Sequence, residues 1–224
     1  MVKRNVEKIV ISGVFSALVI VLGMTQLGFI PLPVGAVTIL QVPAIITGIL
    51  AGPAAGCFVG LLFGVFSIVQ AALAGTTPVD LAFLHYPYIA ILPRVLIGPA
   101  AWFIYSIAGK AVFSKQTAGK GNRPPEGAVD AQEKTGAAPA GFSIIRETWA
   151  VILAAAGGSL VNTTLVLFAL AFLVPEITWP MVLFLLSLNG TLEAGFSALI
   201  SLGVVLPWKG IPRRGGRSKL NSGV

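Results

Sequence analysis

The chain has 224 residues, of which 56% are hydrophobic and only 10% charged, against about 25% charged in ordinary soluble domains. That balance excludes a soluble globular domain and points to one all-α polytopic membrane domain, residues 1–224, with six transmembrane helices. The net charge of +7 flanks apolar runs, so it reads as membrane orientation and not as nucleic-acid binding.

A helix that crosses a bilayer needs about 20 apolar residues. The first predicted span runs from about Lys8 to Gly28, and no small-residue cleavage site follows it, so it reads as a span and not a signal peptide. Phe29-Ile-Pro-Leu-Pro33 breaks it. The second is expected from about Gly35 to Leu50, then a tight turn at Ala51-Gly-Pro53, because Gly stops one helix and Pro suits the first turn of the next. The third covers about Ala54 to Ala74, and a polar loop, Gly75 to Asp80, precedes the fourth, about Leu84 to Ala108. That fourth span holds Pro87, Pro93 and Pro99, each of which removes a helix donor and frees a carbonyl.

Residues 110–146 change character. They are rich in Gly, Ala, Pro, Lys and Glu without an apolar period, and are expected to form a flexible cytoplasmic loop. Gly119-Lys-Gly-Asn-Arg-Pro-Pro125 lacks the spacing and closing Lys-Ser/Thr of a phosphate-binding loop. The fifth span follows at about Trp149 to Val174, the sixth at about Met181 to Leu206, and residues 208–224 form a basic tail. With six spans, every Lys and Arg except Arg94 falls on one side, leaving Asp80 and Glu176 on the other. Basic loops stay in the cytoplasm, so both termini are expected there, in a multi-pass protein of a prokaryotic cytoplasmic membrane.

Ionisable groups inside spans are costly and suggest function. Arg94 in the fourth span and Glu193 in the sixth stand out. They either neutralise each other or one faces a ligand cavity, where a guanidinium suits a carboxylate or phosphate. Asn162 with Thr163 and Thr164, Asn189 one turn before Glu193, Gln41 one turn from Thr38, and Gln70 are the other polar candidates; amides of this kind also simply join neighbouring helices. His85 lies beside Tyr86 and Tyr88, and no Cys, Asp or second His stands at metal-ligand spacing, so neither metal nor other cofactor is expected. Gln41, Gln70, His85, Tyr88, Arg94 and Asn162 all fall toward the outer half and suit an outward-facing pocket. On the first span, Ser12 and Ser16, like Gly13 and Ala17, are spaced by four and permit close helix approach. Cys57, flanked by Gly and Phe, reads as a small packing residue.

Several stretches resemble the substrate-binding S components of energy-coupling factor (ECF) vitamin transporters. They are Thr38-Ile-Leu-Gln-Val-Pro-Ala-Ile-Ile-Thr-Gly-Ile-Leu-Ala-Gly-Pro53, Gly60-Leu-Leu-Phe-Gly64, Leu92-Pro-Arg-Val-Leu-Ile-Gly98, Gly158-Ser-Leu-Val-Asn-Thr-Thr-Leu-Val-Leu167 and the Asn189 to Glu193 segment. The nearest subgroup is the pantothenate, cobalamin and riboflavin type, although relatives often carry His where this chain has Gln41. The resemblance implies six helices, an outward pocket under a loop lid, and Arg94 and Asn162 in that pocket. It implies a small-residue motif on the first helix, at Gly13 and Ala17 or at Ser12 and Ser16, docking a transmembrane coupling subunit. Two ATPase subunits would supply energy, and the bundle would tilt to release a vitamin-like molecule inside, with pantothenate favoured.

Two other classes are weighed. An ion-coupled carrier of a small organic anion could use Arg94 and Glu193, but no repeat relates residues 1–110 to 147–224. An intramembrane enzyme needs a nucleophile with its base or a metal set; one His, one Cys and no clustered acids argue against it.

Overall fold

The computed structural model describes residues 2–25, 28–32, 35–74, 78–117, 140–175 and 178–210. Eight α-helices are described: α1 Val2–Met24, α2 Gln41–Ala51, α3 Pro53–Ala74, α4 Pro78–His85, α5 Pro87–Thr117, α6 Ala140–Leu173, α7 Trp179–Leu185 and α8 Thr191–Gly210. A π turn, Leu186–Gly190, joins α7 to α8, so the two form one membrane-length rod from Trp179 to Lys209. Among the described residues, five stretches are long and apolar enough to cross a membrane.

The expected second span is corrected. Its first part forms strand β2, Gly35–Thr38, paired antiparallel with β1, Phe29–Leu32, with Phe29 opposite Thr38 and Leu32 opposite Gly35. Only Gln41–Ala51 is helical, too short at about 1.5 Å per residue to cross a bilayer alone. Among the described residues the fold is therefore helical with one hairpin, and where six membrane-length helices were expected it has five such stretches and the short α2.

That short helix is the centre of the bundle. Every α2 residue except Leu50 is buried, as expected for a helix that is apolar all round. Val42, Ala44, Ile45, Ile46 and Ile49 pack with Val19, Val59, Phe63, Ile97, Ala101, Val151, Ala154 and Val205 from five other helices. Gly52 ends α2 at φ 103°, a left-handed conformation that glycine adopts without strain, and Pro53 opens α3. The turn predicted there is present. Its position lies beside Lys8, whose Nζ is 3.9 Å from where a Gly52 side chain would begin. α2 thus ends at the level where α1 starts, and α3 starts where α1 did. The hairpin and α2 together return the chain across the bundle.

Three glycines on α3 seat it against α5. A Cβ on Gly56 would lie 2.7 Å from Gly98 Cα and 2.9 Å from Gly48 Cα, so α2, α3 and α5 meet there backbone to backbone. One turn further, a Cβ on Gly60 would lie 2.1 Å from the Arg94 carbonyl oxygen, and one on Gly64 would lie 2.9 Å from Ile91 Cα. Small residues at four-residue spacing permit such approach.

The predicted fourth span corresponds to the apolar stretch Pro87–Gly109 of α5, and the residues before it, expected as a polar loop up to Asp80, form the short helix α4 from Pro78 to His85. α5 continues to Thr117 and α6 starts at Ala140; residues 118–139 of the expected loop lie outside the described residues, as do 211–224 of the tail. Lys209 at the end of α8 bonds Glu147 of α6 at 3.2 Å, and Tyr105 of α5 bonds both.

Candidate functional site

Toward the other end, polar side chains from α2, α5, α6 and α8 gather inside the bundle. Gln41, the first residue of α2, is the hub. Its Nε2 donates to Ser159 Oγ at 2.8 Å and Ser197 Oγ at 3.2 Å, and its Oε1 accepts from Asn162 Nδ2 at 3.2 Å. Gln41 is 0% exposed and Asn162 4%. Helical spacing explains the convergence. Ser159 and Asn162 are three apart on α6, and Glu193 and Ser197 are four apart on α8, so each pair presents one face.

Glu193 is 5% exposed, and its carboxylate is held by the hairpin and α6. Oε1 accepts from the Thr38 backbone N–H at 3.0 Å and from Thr38 Oγ1 at 2.8 Å, and Oε2 accepts from Thr163 Oγ1 at 2.6 Å. A carboxylate is an acceptor only, so these three donors are the partners that a buried anion requires. Glu193 therefore fastens the end of β2 to the bundle.

Arg94 lies in the second turn of α5, 6% exposed. Its guanidinium stands 4.7 Å from the Phe83 ring centre and 5.5 Å from that of Phe63, a stacking that suits its planar, weakly hydrated cation. Nη1 donates to the Ile89 carbonyl at 3.0 Å. That carbonyl is available because Pro93, four residues on, has no N–H to offer it. The predicted freeing of carbonyls by proline is thus realised, and the freed group orients Arg94 itself.

The expected alternative of an Arg94–Glu193 ion pair is not formed as a contact. Among the described residues the one salt bridge within 4.0 Å joins Lys209 to Glu147.

Two buried polar atoms at this level have no partner: Arg94 Nε and Asn162 Oδ1. Their heights match. A Cβ on Gly158 of α6 would lie 3.4 Å from the Ile97 carbonyl oxygen of α5, and one turn further along each antiparallel helix come Asn162 and Arg94. Buried groups without partners are rare and costly. Here they are an unpartnered N–H donor on a cation flanked by the Phe63 and Phe83 rings, and an unpartnered amide oxygen on the facing helix α6.

The other sequence candidates are not brought into this cluster. His85 is exposed at the end of α4, its Nδ1 3.1 Å from the Leu81 carbonyl oxygen. Tyr88 is 51% exposed and packs edge-on against Tyr86. Gln70 on α3 and Asn189 in the π turn are half-buried. No group of three His, Cys, Asp or Glu fit for a metal occurs among the described residues. Sequence reading missed Ser159, Ser197, Phe63 and Phe83. The four-residue spacing of Ser197 from Glu193 was an available signal; the partners of Arg94 on α3 and α4 were not.

On α1 the two small-residue pairs separate. Ser16 is buried and Ser12 half-buried, with Ser12 Oγ donating to the Lys8 carbonyl at 2.8 Å. Gly13 and Ala17 are exposed, and a Cβ on Gly13 would meet nothing within 4 Å.

The chain matches the family described as "ECF transporter, substrate-specific component" over residues 7–205. It is similar to the pantothenic acid transporter PanT of Lactococcus lactis subsp. cremoris (strain MG1363), being 32% identical over 124 residues. That alignment covers 48% of this chain and 62% of the relative, so the match spans less than two thirds of that relative's length.

Proposed function

The chain belongs to the family of substrate-specific components of ECF transporters, and from that premise we propose that it captures pantothenate outside the cell for ATP-driven uptake. The observation that carries the reading is the buried pair of unpartnered groups, Arg94 Nε and Asn162 Oδ1. Pantothenate brings a carboxylate for the guanidinium, and hydroxyl and amide N–H groups for the amide oxygen. The relative named for pantothenic acid supports the same ligand. Phe63 and Phe83 keep water from Arg94, which strengthens its attraction for an anion.

In this reading Arg94 and Asn162 are the ligand residues. Glu193, expected to face the ligand, instead anchors the hairpin, and Gln41 stands behind Asn162. His85 and Tyr88 sit at the mouth. The even alternation of chain direction, with Lys8 and Lys209 at one end of the bundle, supports a cytoplasmic N-terminal tail and a site facing outward. A transmembrane coupling subunit and two ATPase subunits complete the transporter in this reading, which rests on membership of the ECF family.

The test is calorimetry on the purified protein in nanodiscs with pantothenate, riboflavin, cobalamin, folate, thiamine and biotin, alongside Arg94→Ala and Asn162→Ala. Saturable pantothenate binding is expected, weakened at least about tenfold in Arg94→Ala, since hydrogen bonds to a charged group contribute about 1.5–3 kcal/mol, and about fivefold in Asn162→Ala, where a neutral hydrogen bond contributes about 1 kcal/mol. A folded protein that binds none of the six sinks the vitamin assignment and favours the ion-coupled carrier of an organic anion.

A further inference from the structure

Gln41 itself offers a ligand nothing. It is fully buried; both N–H groups go to Ser159 and Ser197, and its oxygen accepts from Asn162. Its one consequence for the site is the direction in which it turns Asn162. A primary amide presents donors on one side and an acceptor on the other. With Nδ2 directed at Gln41 Oε1 across 3.2 Å, the Asn162 oxygen faces away and is the buried atom without a partner. Rotating the Asn162 amide alone would set two oxygens against each other at that distance.

We infer that Gln41 is a positioning residue, which fixes the Asn162 amide with its oxygen toward the ligand, so that the site selects an anion carrying a hydrogen-bond donor. The inference rests on the proposed function only for the location of the ligand. A site built to take a donor rejects analogues that lack one, because its own acceptor is then left buried and unmet. An analogue of pantothenate with its hydroxyls methylated keeps the carboxylate for Arg94 and removes those donors. The alternative arrangement turns both amides together, with Gln41 accepting from the serine hydroxyls; it would make Asn162 a donor and select the opposite chemistry.

The first test needs no ligand. The chain has five asparagines, so selective 15N-Asn labelling in nanodiscs gives few side-chain signals, and loss in Asn162→Ala identifies the relevant one. One of its two protons is expected downfield, hydrogen-bonded, moving upfield in Gln41→Leu and returning in Gln41→Glu, whose carboxyl oxygen still accepts. The second test is a double-mutant cycle on the pantothenate Kd. Gln41→Leu is expected to weaken binding about fivefold in the wild-type background and to leave it unchanged when Asn162 is already alanine. If Gln41→Leu fails to fold, Ser159→Ala with Ser197→Ala releases Gln41 and enters the same cycle. Additive losses, or an Asn162 amide without a hydrogen-bonded proton, overturn the inference. A wild-type protein that shows the amide signature but binds no pantothenate overturns the proposed function and leaves the positioning of Asn162 standing.

Discussion

Pro93 and Arg94 act as a pair. The proline withholds a donor from the Ile89 carbonyl, and the next residue returns its own guanidinium to that carbonyl at 3.0 Å. The bond draws a long, rotamer-rich side chain toward the mouth, between Phe63 and Phe83. Pro93→Ala restores a backbone donor that competes for the same oxygen. We expect α5 to be as stable or more so, and Arg94 to be less fixed. Pantothenate affinity then falls about fivefold, as one neutral-acceptor hydrogen bond contributes about 1 kcal/mol. Calorimetry reads the affinity and thermal unfolding in detergent reads the stability. A drop in both together would assign Pro93 to folding and not to the site.

Among the elements, α3 shows how small residues set the height of the site. The Gly60 Cα approaches the backbone of Arg94 so closely that a methyl group would overlap its carbonyl, and backbone cannot move aside as a side-chain tip can. Gly60→Ala is therefore expected to separate α3 from α5 and to destabilise the protein by about 1–3 kcal/mol, read as a lowered unfolding midpoint. Gly203 on α8 is exposed with nothing within 4 Å of an added methyl, so Gly203→Ala leaves the midpoint within about 1 °C or raises it slightly, because alanine favours helix over glycine. Equal effects at the two positions would contradict this account of the α3–α5 contact.

The same elements show what the sequence discloses. Apolar runs of 20 residues or more located α1, α3, α5, α6 and the α7–α8 rod because lipid demands that length. The run from Gly35 to Leu50 misled because short apolar stretches serve strand and buried helix equally. Only the pairing of β2 with β1 and the enclosure of α2 by its neighbours decide between them. Arg94 and Glu193 were legible because charge in a span is rare. The Gln41–Asn162 bond was not, since it depends on the register of α2 against α6, which no local spacing encodes.

At the scale of the whole molecule, we propose that the exposed face of α1 serves transport and takes no part in ligand binding. A ligand enclosed among α2, α5, α6 and α8 does not touch Gly13 or Ala17, which point outward with Val10, Val14 and Val21 around them. Small residues at a four-residue spacing leave a shallow groove into which another helix can settle. The family's coupling subunit is the proposed occupant, whereas Ser12 and Ser16 turn inward and are poorly placed for it. Gly13→Leu combined with Ala17→Leu fills the groove with side chains that lipid accepts readily, so the bundle stays folded. We expect the pantothenate Kd to remain within about twofold of the wild type, given that changes at sites without shared partners couple weakly. ATP-driven uptake into proteoliposomes, reconstituted with the coupling subunit and ATPases, is expected to fall at least about tenfold. Ser12→Ala with Ser16→Ala serves as the counterpart and should retain most uptake. Undiminished uptake by the leucine variant would remove α1 from the coupling interface and turn attention to the exposed faces of α3 and α8.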